Sequence, residues 1–140
     1  MFPVEIAGYL AAEVSGLVLG QNLFQVPVPA VAPDLAVGMV ELPGDDDEAG
    51  FDGASDEGRL ERPRLRVVVR SGRDDASTGR VLAGRVLQAL QRIGSAGTEV
   101  LAGTRYLDVQ AEGPPFGPEY DANERPQWSV VVAATKEPST

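Results

Sequence analysis

One segment limits what this chain can become. Between Pro43 and Gly58 the sequence runs PGDDDEAGFDGASDEG, with Phe51 as its single aromatic residue. A stretch so rich in Gly, Asp and Glu cannot bury enough apolar area to offset the entropy of ordering it. It reads as a long mobile loop joining two strands (43–60 with its flanks), so any core is assembled from the sequence on either side. At 140 residues and 43% hydrophobic content, the chain has material for one ordinary core and one domain, 1–140.

Before the segment, Pro3 suits a first helical turn, and Ile6, Leu10, Val14 and Leu17 share one helical face ahead of Gly20. Leu23–Val31 is extended, with Phe24, Val26 and Val28 on one side and Pro27 and Pro29 on the other. The missing proline N–H groups make this an edge strand or polyproline-like arm. Ala36–Leu42 is a further short strand. After the segment, Arg64–Arg70 alternates most clearly, with Leu65, Val67 and Val69 inward and Arg64, Arg66 and Arg70 on the other face. Asp74 and Asp75 stand where a helix N-cap is wanted, and Leu82, Val86, Leu90 and Ile93 form a stripe that Gly94 ends. Thr104–Glu112 alternates again. A turn-rich stretch, Gly113–Glu124, then leads to a last strand, Gln127–Ala134, and to a frayed tail, Lys136–Thr140. The order predicts an α+β fold: a mixed, mainly antiparallel sheet packed by two helices. The Arg64–Asp108 strand–helix–strand unit can supply a parallel pair.

Charge is placed unevenly. Residues 1–58 hold eleven acids and no base, whereas the remainder holds all twelve bases against ten acids, for a net −9 overall. Such a chain is not built to wrap a nucleic acid, whose phosphates are neutralised by Lys and Arg. The asymmetry reads either as one solvated acidic loop on an otherwise ordinary chain, or as a subunit whose acidic region faces a neighbour's basic one or whose acidic loop repels a polyanion. The alternate Arg64, Arg66 and Arg70 face reads as a solvated sheet face or a contact with another subunit's acids, with nucleic-acid contact a weaker third reading because no aromatic residues interleave the arginines. Phe24, Val26 and Val28 form the matching candidate edge contact. No basic leader precedes the apolar stretch 3–20, and no run of about 18 apolar residues spans a bilayer, so a cytoplasm-like compartment without membrane association is expected.

Little chemistry is on offer. Without Cys or His the chain has no disulfide, no Cys/His zinc site and no Ser–His–Asp relay of its own. Asp45, Asp46, Asp47, Glu48, Asp52 and Asp56 are the densest carboxylates, and Asp45, Asp47, Gly50 and Asp56 match four positions of a calcium loop. Ala49 stands where a ligand is needed, and Asp56 replaces the bidentate Glu. The cluster therefore reads as a solvated, partner-facing or channel-facing acidic loop. No phosphate loop is present, and Gly79 and Gly84 sit inside the second helix, where packing explains them better. No enzyme activity, cofactor or metal is expected. Trp128 reads as sheet packing more than as a partner anchor, and Tyr120 falls in a turn with either role open.

The last third carries a resemblance. Gly117-Pro-Glu-Tyr-Asp121-Ala-Asn123-Glu124-Arg125, followed directly by the Trp128–Ala134 strand, resembles the Gly-x-Asp-x-x-Gly-Arg-then-strand ending of phage minor capsid and tail-terminator (tail-completion) proteins. The element order is similar across most of the chain, and the motif-level likeness covers residues 113–135. Here Glu124 stands where a turn Gly is common, and Pro126 follows Arg125. Read alone, Asp121 and Asn123 suit Asx-type turns, and Arg125 can bridge back to a carboxylate. The resemblance implies a non-enzymatic virion protein assembled in the host cytoplasm. Its subunits form a six-membered ring on the last tail-tube ring, stop polymerisation and dock to the head, partnered by tube and neck proteins, while DNA passes through without specific binding. The alternatives are another neck protein, such as a head-completion stopper or adaptor, or a small acidic regulator that mimics nucleic acid.

Overall fold

The apolar spacing near the N-terminus produces helix α1, Phe2–Glu13. Ile6, Leu10, Val14 and Leu17 are all buried, although the last two lie beyond the helix end. The computed structural model describes residues 2–48 and 60–138, with residues 45–48 described by their backbone. The other elements are β1 (Ala36–Glu48), β2 (Leu60–Arg70), α2 (Ala76–Gln91), β3 (Glu99–Leu101), β4 (Thr104–Ala111), β5 (Phe116–Tyr120) and β6 (Pro126–Lys136).

The fold is α+β, a six-stranded sheet in the order β1-β2-β6-β4-β3, with β5 also paired to β6. Every named pair is antiparallel. The β2–α2–β4 unit is therefore split: its two strands run the same way, but β6 lies between them. β4 and β5 follow one another along a single edge of β6, Ala111 opposite Val132 and Phe116 opposite Ser129. Alternation sends Val37, Met39, Leu65, Val67, Val69, Val130, Val132 and Ala134 into one core beneath both helices. Gly79 lets α2 approach closely, since a Cβ there would lie 2.7 Å from Ser71 Oγ and 3.1 Å from Trp128; a Cβ on Gly84 would meet nothing. Asp75 is the N-cap residue, but its carboxylate accepts from the Thr78 hydroxyl at 2.6 Å in place of a helix N–H.

Several expectations are corrected. Residues 43–48 are not loop: β1 runs on to Glu48, pairing Asp45 with Arg62 and Glu48 with Leu60 across two irregularities. Cross-strand bonding with β2 extends a segment that its composition alone assigns to a loop. The side chains of Asp45, Asp46, Asp47 and Glu48, and all of Asp52 and Asp56, lie outside the described residues, as does residue 49–58 of the expected loop. Gly113–Glu124 holds strand β5, so Tyr120 lies on a strand, exposed. The tail does not fray from Lys136, which ends β6 and is 2% exposed.

The Pro-bearing stretch is an arm. Leu23 is buried beside Val37, and residues 22–26 line the free edge of β1 through Val37 N–H to Asn22 O (2.8 Å), Phe24 N–H to Val37 O (2.9 Å) and Met39 N–H to Val26 O (3.0 Å). Prolines at 27 and 29 leave these donors intact, and the arm covers the edge that would otherwise template another strand. It then turns onto the helix-free face, so close that a Cβ on Gly38 would lie 2.6 Å from Val28 N.

Candidate functional site

The sheet has one face under two helices and one face without any. On the open face, cross-strand register sets Val40, Arg66 and Val131 in one row and Leu42, Arg64, Ala133 and Gln110 in another. Arg64 grips Glu112 with two parallel bonds, Nε to Oε2 at 2.7 Å and Nη2 to Oε1 at 2.8 Å, and Nη1 reaches Pro43 O at 3.1 Å. The Arg64 bonds hold the Glu112 carboxyl below its usual range despite slight desolvation. Arg66 is half-buried among valines, and its Nε has no acceptor.

Arg70 is corrected out of this set. It is 1% exposed, and its guanidinium donates to the carbonyls of Pro29 (3.1 Å), Ala32 (2.9 Å), Pro33 (2.8 Å) and Asp34 (3.3 Å). Burial, and then the nearby Arg125 charge, lower its pKa. The planar fork of donors matches the turning backbone of the arm, which is what fastens residues 29–34 over the sheet end. Strand parity identifies Arg70's face correctly; it cannot show that distant backbone covers that face. Of the arm's expected contact residues, Phe24 and Val28 are half-buried within the chain and Val26 is exposed.

The β5–β6 turn closes beside the arm. Asp121 Oδ1 accepts the backbone N–H groups of Asn123 and Arg125, each at 2.9 Å, and Oδ2 accepts Arg125 Nε at 2.8 Å. Burial pushes the Asp121 carboxyl up, but these bonds and the Arg125 charge outweigh it and lower the pKa. Arg125 also faces Asp34 at 3.6 Å and Ala30 O at 3.4 Å, tying turn to arm. The expected Asx turn and arginine bridge are both formed. Gly117 has φ +136, and Glu124 adopts the left-handed conformation at φ +61. Trp128 is packed within the chain, its Nε1 donating to Ala76 O at 3.0 Å beneath Arg80.

A second buried polar group lies at the other end of the sheet. Glu5 accepts from Thr104 Oγ1 at 2.6 Å and from the Tyr106 hydroxyl at 2.7 Å, while Lys136 Nζ stands 3.9 Å from Glu5 and 3.2 Å from Glu61. Phe2 stacks on the Tyr106 ring. Burial would raise the Glu5 pKa, but the two hydroxyl bonds, the amino terminus and Lys136 bring it below its ordinary value. Burial and the Glu5 bond drive the Tyr106 phenol strongly upward, so it stays protonated. Sequence reasoning missed this group. Its one signal was that Glu5 falls between Phe2 and Tyr9 at helical spacing, on the buried side of α1.

Among the described residues no three acidic side chains gather as a metal site, and no helix is long and apolar enough to cross a membrane. Every described carboxylate whose pKa is lowered is held by hydroxyls, arginine or backbone of the same chain. The fold and surface define an α+β domain with a one-sided helix layer and an arm-lined sheet edge. The sequence matches no protein-family model and no curated protein.

Proposed function

We propose that this chain is a structural assembly protein of the tail-terminator kind, forming a ring at the end of a phage tail tube, ending tube growth and joining tail to head. It acts by shape and contact, without catalysis or cofactor. The observation that carries the reading is the β5–β6 turn. Glu124 stands where the resembling family commonly has Gly, and its φ of +61 lies in the region that glycine enters more readily than other residues. The Asp121–Arg125 bridge closes the same turn into the last strand.

Other features fit a ring subunit. The helix-free face presents Val40, Arg66 and Val131 for a neighbouring ring or tube subunit. A closed ring needs two different faces of one subunit to meet, and this chain has an acid-only region and a separate arginine-bearing one. An acidic lining would let DNA pass without adhering.

The test is mass by light scattering after size exclusion, for the protein alone and with tail-tube protein. A ring-sized species in either sample, together with shortened tubes in an assembly mixture, is the expected result. A monomer in both, with tube length unchanged, would sink the reading and favour a regulator or a neck protein that assembles only on its portal.

A further inference from the structure

The outward surface of α2 is positive and, among the described residues, makes no ion pair. From Ala76 to Thr98 there are three arginines and no acid. Val81, Arg85, Gln88 and Arg92 recur at helical spacing and are all exposed, Val81 at 64%. Arg85 makes only a long bond to Ser15 O, at 3.4 Å, and neither Arg85 nor Arg92 meets a carboxylate among the described residues. Beside this stripe lies an apolar groove floored by Leu17, Leu35, Val81 and Leu82 and rimmed by Asn22 and Arg85.

The same chain carries a segment of complementary chemistry. Asp45–Glu57 holds seven acids, no base and one aromatic residue, Phe51. Its own groove is out of reach while the sheet is intact. The groove lies by Leu35 and the start of α2, at the Arg70 end, whereas the β1–β2 ladder carries the acidic segment past Glu61, which pairs with the last residue of β6. From Glu61 to Arg70 a strand runs about 30 Å. Phe51 extends at most about 10 Å beyond Glu48.

We propose that the groove beside α2 receives the acidic segment Asp45–Glu57 of a second copy, with Phe51 seated against Leu35 and Val81 and its flanking carboxylates meeting Arg85 and Arg92. The contact joins two different surfaces at opposite ends of the subunit, so it is heterologous and propagates from copy to copy until it closes. It rests on the ring reading and names the contact that joins one subunit to the next. The aromatic anchor supplies most of the affinity and the charge pairs supply register and salt sensitivity.

The experiment uses two complementary variants of the full chain, Phe51→Ser and Val81→Asp/Arg85→Glu, whose folding is first checked by circular dichroism. Light scattering over a concentration series is expected to show multimers for the wild type and a half-assembly concentration raised at least about tenfold in each variant. Mixing the two variants should give a one-to-one dimer and nothing larger, because one retains only the segment and the other only the groove. Variants that assemble like the wild type, a mixture that stays monomeric, or a wild type that is monomeric throughout would each overturn the contact. Adding tail-tube protein separates the two ideas. Wild-type assembly through this contact with no effect on tubes keeps the contact and breaks the terminator reading. Wild-type and variant proteins that assemble and cap tubes equally well keep that reading and overturn the contact.

Discussion

Arg70 and Lys136 are the most buried described cations, at 1% and 2% exposure, and they stand at opposite ends of the sheet. Arg70 is satisfied by four backbone carbonyls of the arm and, among the described residues, makes no ion pair. Lys136 instead faces the carboxylates of Glu5 and Glu61 and lies over the Tyr106 ring. A guanidinium can spread its donors over a curving backbone, whereas an ammonium is a compact charge that suits carboxylates. The two ends consequently differ in what they depend on. Arg70 itself is held by backbone carbonyls, which acid does not protonate, whereas Lys136 is held by ionised carboxylates, which acid neutralises.

The largest effect should come from breaking the Arg70 end. Replacing Arg70 with Met retains length but leaves the arm carbonyls facing an apolar side chain, a loss on the order of 3–5 kcal/mol by the usual cost of unsatisfied buried acceptors. Arg70→Lys keeps the charge but cannot span the same carbonyls, and should cost roughly half as much. Urea denaturation measures both. If Arg70→Met unfolds as readily as wild type, to within a surface substitution, the arm is not fastened by this residue.

The Lys136 end is next. Glu5→Gln keeps the shape but removes the negative charge beside a buried ammonium, at a cost of about 2–3 kcal/mol near neutral pH. Its pH dependence has a definite sign. Glu5 has a folded pKa below its ordinary 4.5, so the unfolded chain binds the proton more readily. The stability that Glu5 contributes is full above about pH 5 and disappears as pH falls through the folded pKa. Urea midpoints measured from neutral pH downward should therefore converge for wild type and Glu5→Gln in acid, while the gap between wild type and Arg70→Met stays open. Parallel curves for Glu5→Gln would erase the contrast between the two ends.

A third substitution sharpens the Arg70 end. Asp121→Ala removes the acceptor of two backbone N–H groups and of Arg125 Nε, and should cost about 1–2 kcal/mol. Because Arg125 also contacts Asp34 and Ala30, the arm should become more accessible as well. Amide exchange at Ala30 and Ala32 is the readout, and unchanged exchange there would show that turn and arm are not coupled.

The contrast also explains what could be read before the fold was known. Period-two alternation identified β2, most of β4 and most of β6, and helical spacing identified the apolar faces of α1 and α2, because those patterns record local geometry. The Asx turn was legible for the same reason: Asp121, Asn123 and Arg125 are sequence neighbours. Arg70 was assigned to the correct strand face and the wrong environment, since its acceptors lie some 36 to 41 positions away in sequence. Glu5, separated from Thr104 and Tyr106 by about 100 positions, left still less trace. The β1 extension to Glu48 was missed because acids disfavour strands, yet the ladder with β2 supplies their backbone partners. Composition described the segment, and pairing decided its structure.

The smallest effect concerns Glu124, and it compares two replacements at one site. A non-glycine residue at φ +61 carries roughly 1 kcal/mol of conformational cost. Glycine removes that cost but loses about 0.5–1 kcal/mol through the greater freedom of the unfolded chain. Either replacement also gives up the Glu124–Arg73 pair at 2.5 Å, which joins two well-exposed side chains and contributes at most a few tenths of a kcal/mol. Glu124→Gly should thus lie within about 0.5 kcal/mol of wild type, and Glu124→Ala, which keeps the strained φ and also loses the pair, should be less stable than Glu124→Gly by up to about 0.5 kcal/mol. Urea midpoints of the two variants, measured side by side, decide it. An alanine variant at least as stable as the glycine variant would mean that the turn relaxes out of the left-handed conformation, and the strongest link between this turn and the glycine-bearing ending it resembles would be lost.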